Sequence, residues 1–404
     1  MLGDNDLLKL NKSYILDESE LLINNIEKYS RTPNNRFYTI SSLQNQAIPV
    51  FDVSTNKIFK IFKISEDIAD SLKIQSDTIN YERFQKYDYI TIRQLDSTIK
   101  SPPKKFLVND GYSCSEFIDD STICMMGKIT FLRVLKGTEL KTLTNFEYSS
   151  LFFINFINIF NNSQRIRIIR DGFLDKDSVK IYIQLNKLVI DRNKQKIYTI
   201  GRNGLSIINN ITDRIHYPSI SIMDYDGNII RNYHHLPEEF LKYGLLYSIN
   251  YKPDFCLDEN SNLWIIYQNL NNIYKNDSIF TQIVNLAHKN DSAFWGFNEF
   301  KKNNNLQKAG ELFVKKTAFQ SENIFSINSE KIVALIFLRD PTIDTSSFEP
   351  YLYLIKDKTV ERIFKIEKES SNGALRGLSY DNISNKLIIF RKNSENWTLE
   401  EYEI

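Results

Sequence analysis

One pattern returns along the chain: an apolar run, an Asp or Asn, a short polar gap, then a second apolar run. It reads Glu116-Phe-Ile-Asp119 before Thr122-Ile-Cys-Met-Met126, and Leu188-Val-Ile-Asp191 before Lys196-Ile-Tyr-Thr-Ile200. It returns as Phe255-Cys-Leu-Asp258 with Leu263-Trp-Ile-Ile-Tyr267, and as Phe325-Ser-Ile-Asn328 with Lys331-Ile-Val-Ala-Leu335. The last strong copy is Leu378-Ser-Tyr-Asp381 with Lys386-Leu-Ile-Ile-Phe390, and a weaker one opens the chain where Leu22–Tyr29 leads into Phe37-Tyr-Thr-Ile40. Six copies at intervals of roughly 50–70 residues are too long for solenoid repeats and suit propeller blades carrying extra loop.

Each hairpin is usually followed by two more strand candidates. Blade 1 continues with Ala47–Asp52 and Lys57–Phe62, and blade 2 with Ile129–Leu135 and Glu139–Leu143. Blade 3 offers Ser219–Asp224 and Asn228–Tyr233 around Tyr225-Asp226-Gly227, a hairpin turn signal. Blade 5 adds Tyr351–Ile355 and Thr359–Phe364. Four antiparallel strands per repeat is the unit of a β-propeller. The last repeat ends at Trp397–Tyr402, one strand short, and the spare N-terminal run Leu7–Ile15 is expected to complete it and close the ring. The expected fold is therefore all-β: a single six-bladed domain spanning 1–404. Tyr87–Ile99 and Leu151–Ile183 fit no blade cleanly and leave seven blades as the alternative.

Composition agrees. The chain has 27 Phe and 22 Tyr, many beside Ile, a mixture that favours strands. With 13 Gly and 9 Pro in 404 residues, its turns must be built mostly from Asn, Asp and Ser. A net charge of +1 gives no global field to recruit nucleic acid or an anionic membrane. No apolar run approaches the ~20 residues of a membrane-spanning helix. Cys114, Cys124 and Cys256 lie in apolar runs without metal-ligand spacing, so they read as buried, inert thiols. A monomer is expected.

The Asp-turn-strand repeat resembles that of six-bladed NHL-like or TolB-like propellers common in Bacteroidota. Those copies carry Gly in the turn, whereas here it is mostly Asn or Ser, as in Asp258-Glu-Asn-Ser-Asn262. The resemblance implies a fold more than an activity. It also implies a cell-envelope or periplasmic location if an export signal preceded Met1; with a native Met1 the plain expectation is the cytoplasm.

In a propeller, strand 1–2 and 3–4 turns share one face, and 2–3 loops and blade crossings share the other. The long segments 65–111, 145–182, 201–218, 234–253, 287–321 and 339–350 read as insertions on the second face. Several are aromatic: Tyr233, His234 and His235 precede a short helix signal, and Phe294, Trp295 and Phe297 crowd one loop. With Arg376, these residues form the candidate binding set for a protein or glycan, in a non-enzymatic binding propeller that needs no cofactor. The alternative is a divalent-metal hydrolase of lactonase or esterase type, holding Ca²⁺ in the central funnel through Glu20, Asn186, Asp254, Glu322 and Asn323 near innermost-strand starts. Metalloprotease spacing is lacking among the histidines, and Gly111-Tyr-Ser113-Cys-Ser115 lacks the closing Gly of a nucleophile elbow. Asp258–Asn262 imitates the start of an EF-hand loop, but Leu263 stands where Gly is needed, so a hairpin turn accounts for it.

Overall fold

A computed structural model describes residues 8–19, 21, 23, 26, 28–41, 46–78, 87–91, 110–135, 147–169, 172–173, 180–203, 218–235, 253–268, 270, 272–276, 278–282, 319–339 and 347–404. Its strands form six antiparallel sheets in chain order. The fold is a six-bladed β-propeller.

The chain begins with β1 (Lys9–Ile15), then builds blade 1 from β2 (Lys28–Arg31), β3 (Phe37–Ser41), β4 (Ile48–Asp52) and β5 (Ile58–Phe62). Helix α1 (Glu66–Thr78) and β6 (Tyr87–Thr91) lead into blade 2: β7 (Gly111–Phe117), β8 (Thr122–Leu135), β9 (Glu147–Asn158) and β10 (Gln164–Ile168). Blade 3 holds β11 (Gly172–Phe173), β12 (Lys180–Asp191), β13 (Lys196–Asn203), β14 (Pro218–Asp224) and β15 (Ile229–His235). Blade 4 holds β16 (Pro253–Leu257), β17 (Leu263–Tyr267), β18 (Asn272–Lys275) and β19 (Ser278–Gln282). Blade 5 holds β20 (Phe319–Ser326), β21 (Lys331–Leu338), β22 (Glu349–Lys356) and β23 (Thr359–Lys365). Blade 6 holds β24 (Glu369–Ser370), β25 (Gly373–Asp381), β26 (Lys386–Lys392) and β27 (Trp397–Glu403). Strand β1 completes it, pairing with β27 from Lys9 opposite Glu403 to Ile15 opposite Thr398.

The repeat's acidic or amide residue has a local job. Its side-chain oxygen accepts the amides of the strand 1–2 turn, an Asx-type turn that replaces glycine chemistry. Asp119 Oδ1 takes Ser121 and Thr122, Asp258 Oδ1 takes Asn260 and Asn262, and Asn328 Oδ1 takes Glu330 and Lys331. Asp191 takes Lys194, and Asp381 takes Ile383. Asp52, Asn158 and Asp224 do the same for 3–4 turns.

A blade is covered on both faces by its neighbours, so middle strands lose their alternation. Every residue of β17 is buried, as are all of β3, whereas the outer strand β23 is mostly exposed. The seams are largely apolar. Between blades 4 and 5, Trp264, Ile266 and Ile273 meet Phe319, Ile324 and Ile332. Between blades 5 and 6, Leu352, Leu354 and Phe364 meet Leu378 and Ile389. Trp397 fills the blade 6–1 seam, and its indole N–H donates to the Ile23 carbonyl at 2.6 Å. Helix α1 buries Ile68, Ala69 and Leu72 in the blade 1–2 core, and Gln75 donates to the Ile166 carbonyl of β10.

The expected strand order is corrected in blade 2. Ile129–Leu135 is not a third strand but the second half of β8, and 139–143 lies outside the described residues. The stretches that fitted no blade supply the missing pieces. Segment 145–182, expected as an insertion, contains β9, β10 and β11. Tyr87–Thr91 becomes β6, which pairs with β8 from Leu135 to Phe131, beyond the Ile123–Lys128 part that pairs with β7. Residues 234–235, expected in a loop, finish β15. The cause is length: a strand of 14 residues reads as two ordinary ones when a glycine, Gly127, lies inside it.

Candidate functional site

The innermost strands of the six blades, β2, β7, β12, β16, β20 and β25, surround a central channel with a cavity of about 450 Å³. In blades 1 to 4 the paired charges on those strands alternate in sign. Lys28 of blade 1 pairs with Glu116 of blade 2 at 2.5 Å, and its ammonium also donates to the Leu188 carbonyl of blade 3. Lys187 of blade 3 pairs with Asp254 of blade 4 at 2.8 Å. Asp254 Oδ2 accepts the Ile324 amide of blade 5 at 2.8 Å. The wall is therefore a chain of cross-blade contacts running through five blades.

Arg31 ties blade 1 to blade 6. Its guanidinium contacts Asp381 at 3.0 Å and Glu401 at 2.8 Å, both in blade 6, while Nε also donates to the Tyr29 hydroxyl at 2.6 Å. All four side chains are buried. Burial alone would weaken the Arg31 charge, but Tyr29, Asp381 and Glu401 outweigh it and hold its pKa above the ordinary arginine value. Desolvation likewise pushes the Tyr29 phenol well up. A buried ion pair with its remaining donors satisfied fixes geometry more than it adds stability.

The turn aspartates are not equivalent. Asp258 Oδ2 accepts the Trp264 indole at 3.1 Å and the Asn262 amide at 3.0 Å. In blade 3 Tyr198 stands in the place of Trp264, each opposite the residue two before the turn aspartate, and Asp191 Oδ2 is buried without a hydrogen-bond partner among the described residues; the Lys194 ammonium lies 3.8 Å away.

A second cleft of about 400 Å³ lies on blade 6, lined by Arg376, Glu369, Ser370, Gly373, Lys392 and Asn393 among others. Its wall is clamped from behind. Arg391 and Glu400, each nearly inaccessible, pair at 2.8 Å, Arg391 donates to the Glu367 carbonyl, and Asn372 and Tyr402 donate to Glu400.

Of the nominated binding residues, Arg376 is exposed in this cleft, at a bulge in β25 between Leu375 and Gly377. Tyr233 and His235 lie opposite Ile220 and Pro218 in the β14–β15 ladder, with His234 between them. Phe294, Trp295 and Phe297 lie outside the described residues.

The described members of the proposed calcium set are not gathered as a cation site. Asp254 already has a lysine ammonium on one carboxylate oxygen and a main-chain amide on the other, which occupies the position a cation would take. Glu322 is exposed, Asn323 lines the channel, Asn186 belongs to β12, and Glu20 lies outside the described residues. Among the described residues no three His, Cys, Asp or Glu side chains gather as a metal site. Cys114 and Cys124 are buried and Cys256 is half-buried, with burial pushing the Cys124 and Cys256 thiols up.

Sequence reasoning missed Lys28, Glu116, Lys187 and Arg31. A signal existed: a charged residue three or four positions before the repeat aspartate in an otherwise apolar run, as in Glu116–Asp119 and Lys187–Asp191.

No protein family matches the chain, and no curated protein does. Solved structures match along nearly the whole chain. A member of the DUF4221 family from Bacteroides vulgatus is 10% identical, with 98% of this chain and 97% of that one covered and a TM-score of 0.47. A protein from Bacteroides fragilis is 10% identical, with 100% and 97% covered and a TM-score of 0.49. The Cps50 (Swd1) β-propeller domain of Myceliophteria thermophila is 8% identical, with 97% and 100% covered and a TM-score of 0.39. Among the described residues no helix is long and apolar enough to cross a membrane.

Proposed function

We propose that the protein is a non-enzymatic binding propeller that recognises a protein or glycan on the face opposite its hairpin turns. The observation that carries this reading is the state of the channel wall. Lys28, Glu116, Lys187 and Asp254 are engaged by one another and by the backbone across blades, so they serve the ring and not a substrate. A stiff ring loses little ordering entropy when it binds a large ligand. Blade 2 supports the choice of face: β8, β9 and β6 pair beyond the hairpin-turn half of the blade, on the side where blade crossings leave and enter. The segments 236–252 and 283–318, between blades 3, 4 and 5, attach on that side too.

Two measurements test it. Incubation with 4-nitrophenyl esters and with γ-butyrolactone, with and without millimolar Ca²⁺, should give only the buffer rate. Calcium-dependent turnover lost in Asp254→Asn would overturn the reading in favour of the hydrolase. A glycan array and a cross-linking screen, each repeated with the Phe294→Ala, Trp295→Ala double variant, should show signals that the variant loses. Signals insensitive to that variant would remove the aromatic loop from the site.

A further inference from the structure

We propose that the seam between blades 1 and 2 carries a docking site for a partner peptide segment that presents an apolar side chain flanked by carboxylates. The seam is independent of the loop-bearing face, since it lies at the hairpin-turn edge of the ring. Phe59 on β5 and Phe160 in the β9–β10 turn are 43% and 51% exposed, which is unusual for rings of this size. They belong to one cluster. Phe37 meets Phe59 at 4.7 Å and Phe160 at 5.8 Å, and the two exposed rings meet edge-on at 6.1 Å.

Two cations flank the rings. The Arg36 guanidinium stacks over Phe37 at 4.9 Å, and the Lys60 ammonium donates to the Ile159 carbonyl at 2.9 Å, next to Phe160. Neither has a carboxylate within ion-pair distance among the described residues. The neighbouring Asp52 is occupied by Ser54 and Thr55. An ammonium carries three donors and a guanidinium five. Among the described residues one carbonyl serves Lys60, and no side-chain acceptor serves Arg36. Burial lowers the Lys60 pKa with no anion to oppose it. A carboxylate arriving from a partner would supply the missing acceptors, while an apolar side chain would cover the two rings. Aromatic and arginine side chains together are the usual composition of interface anchor points.

The same charges argue against a second copy of this chain. A two-fold dimer would set each patch against itself and bring Arg36 and Lys60 close to their own counterparts. An acidic segment meets no such repulsion.

The test is a randomised peptide library displayed on phage, selected on the full chain and counter-selected on the Phe59→Ser, Phe160→Ser double variant. Enriched peptides should combine Asp or Glu with a Leu, Phe or Trp anchor. Synthetic copies, followed by fluorescence anisotropy, should bind Arg36→Gln, Lys60→Gln at least ~10-fold more weakly. Binding should also weaken as salt rises. Thermal unfolding of each variant verifies that the ring is intact. No enrichment, enrichment without acidic residues, or equal binding to the charge variant would overturn the proposal. Sedimentation showing a dimer that the Phe59→Ser, Phe160→Ser variant abolishes would assign the patch to self-association and equally overturn it.

Discussion

Gly373 shows how a single side chain can be excluded from this fold. Its φ is 112°, and an added Cβ would lie 2.5 Å from the Lys392 carbonyl carbon and oxygen. Both the backbone angle and the space therefore demand glycine. Gly373→Ala should cost about 1–3 kcal/mol, seen as a lower midpoint in urea. Arg31 is a second residue where one change reaches far. Removing its guanidinium leaves Asp381 and Glu401 buried against each other without their shared cation. Arg31→Met should cost about 3–5 kcal/mol, the range for uncompensated buried charges. A cost below about 1 kcal/mol in denaturant unfolding would show that the seam relaxes or admits water there.

At the scale of the hairpin, carboxylate caps carry a pH signature. The Ser54 hydroxyl and amide hold Asp52 below the ordinary aspartate value. For Asp119 burial works the other way, but Ser121 and Thr122 outweigh it, and its pKa is lowered too. Because the folded value is the lower one, these caps stabilise the fold above about pH 4 and lose that contribution as the pH falls further. The thermal midpoint should drop on acidification, and Asp119→Asn should drop less, since Asn328 already caps the blade 5 turn as a neutral amide. These caps were also what made the fold legible. The repeat was visible because its Asp or Asn accepts turn amides, a local chemistry that spacing reveals. Strand boundaries were visible where a turn interrupts the run, as at Asp224–Asn228. They were hidden in blade 2, where β8 runs on past Gly127 to pair with both β7 and β6. The channel pairs were hidden for another reason. Lys28 and Glu116, or Arg31 and Glu401, are brought together by the circular order of blades, and nothing local in either segment names the partner.

Over the whole molecule, closure rests on β1 and on the contacts it brings. Alongside the β1–β27 ladder, Leu16 donates to the Trp397 carbonyl, Lys392 meets Glu18 at 3.2 Å, and Trp397 reaches Ile23. A chain beginning at residue 16 should expose β27 as a bare edge, unfold at a lower temperature and associate through that edge. Light scattering and calorimetry would measure both, and an unchanged particle mass and melting temperature would refute it.

The same ladder sets an order of events during synthesis. Lys9 leaves the ribosome before any strand of blade 1, yet its partner Glu403 is made only with the last strand of blade 6. While the blades are being made β1 has nowhere to go, and five sheets must stand in an unfinished arc with apolar flanks uncovered. Nascent chains of this kind are the ones most prone to stray pairing. The speed of completion is then governed by one very distant encounter, so refolding should be slow for a chain of this size.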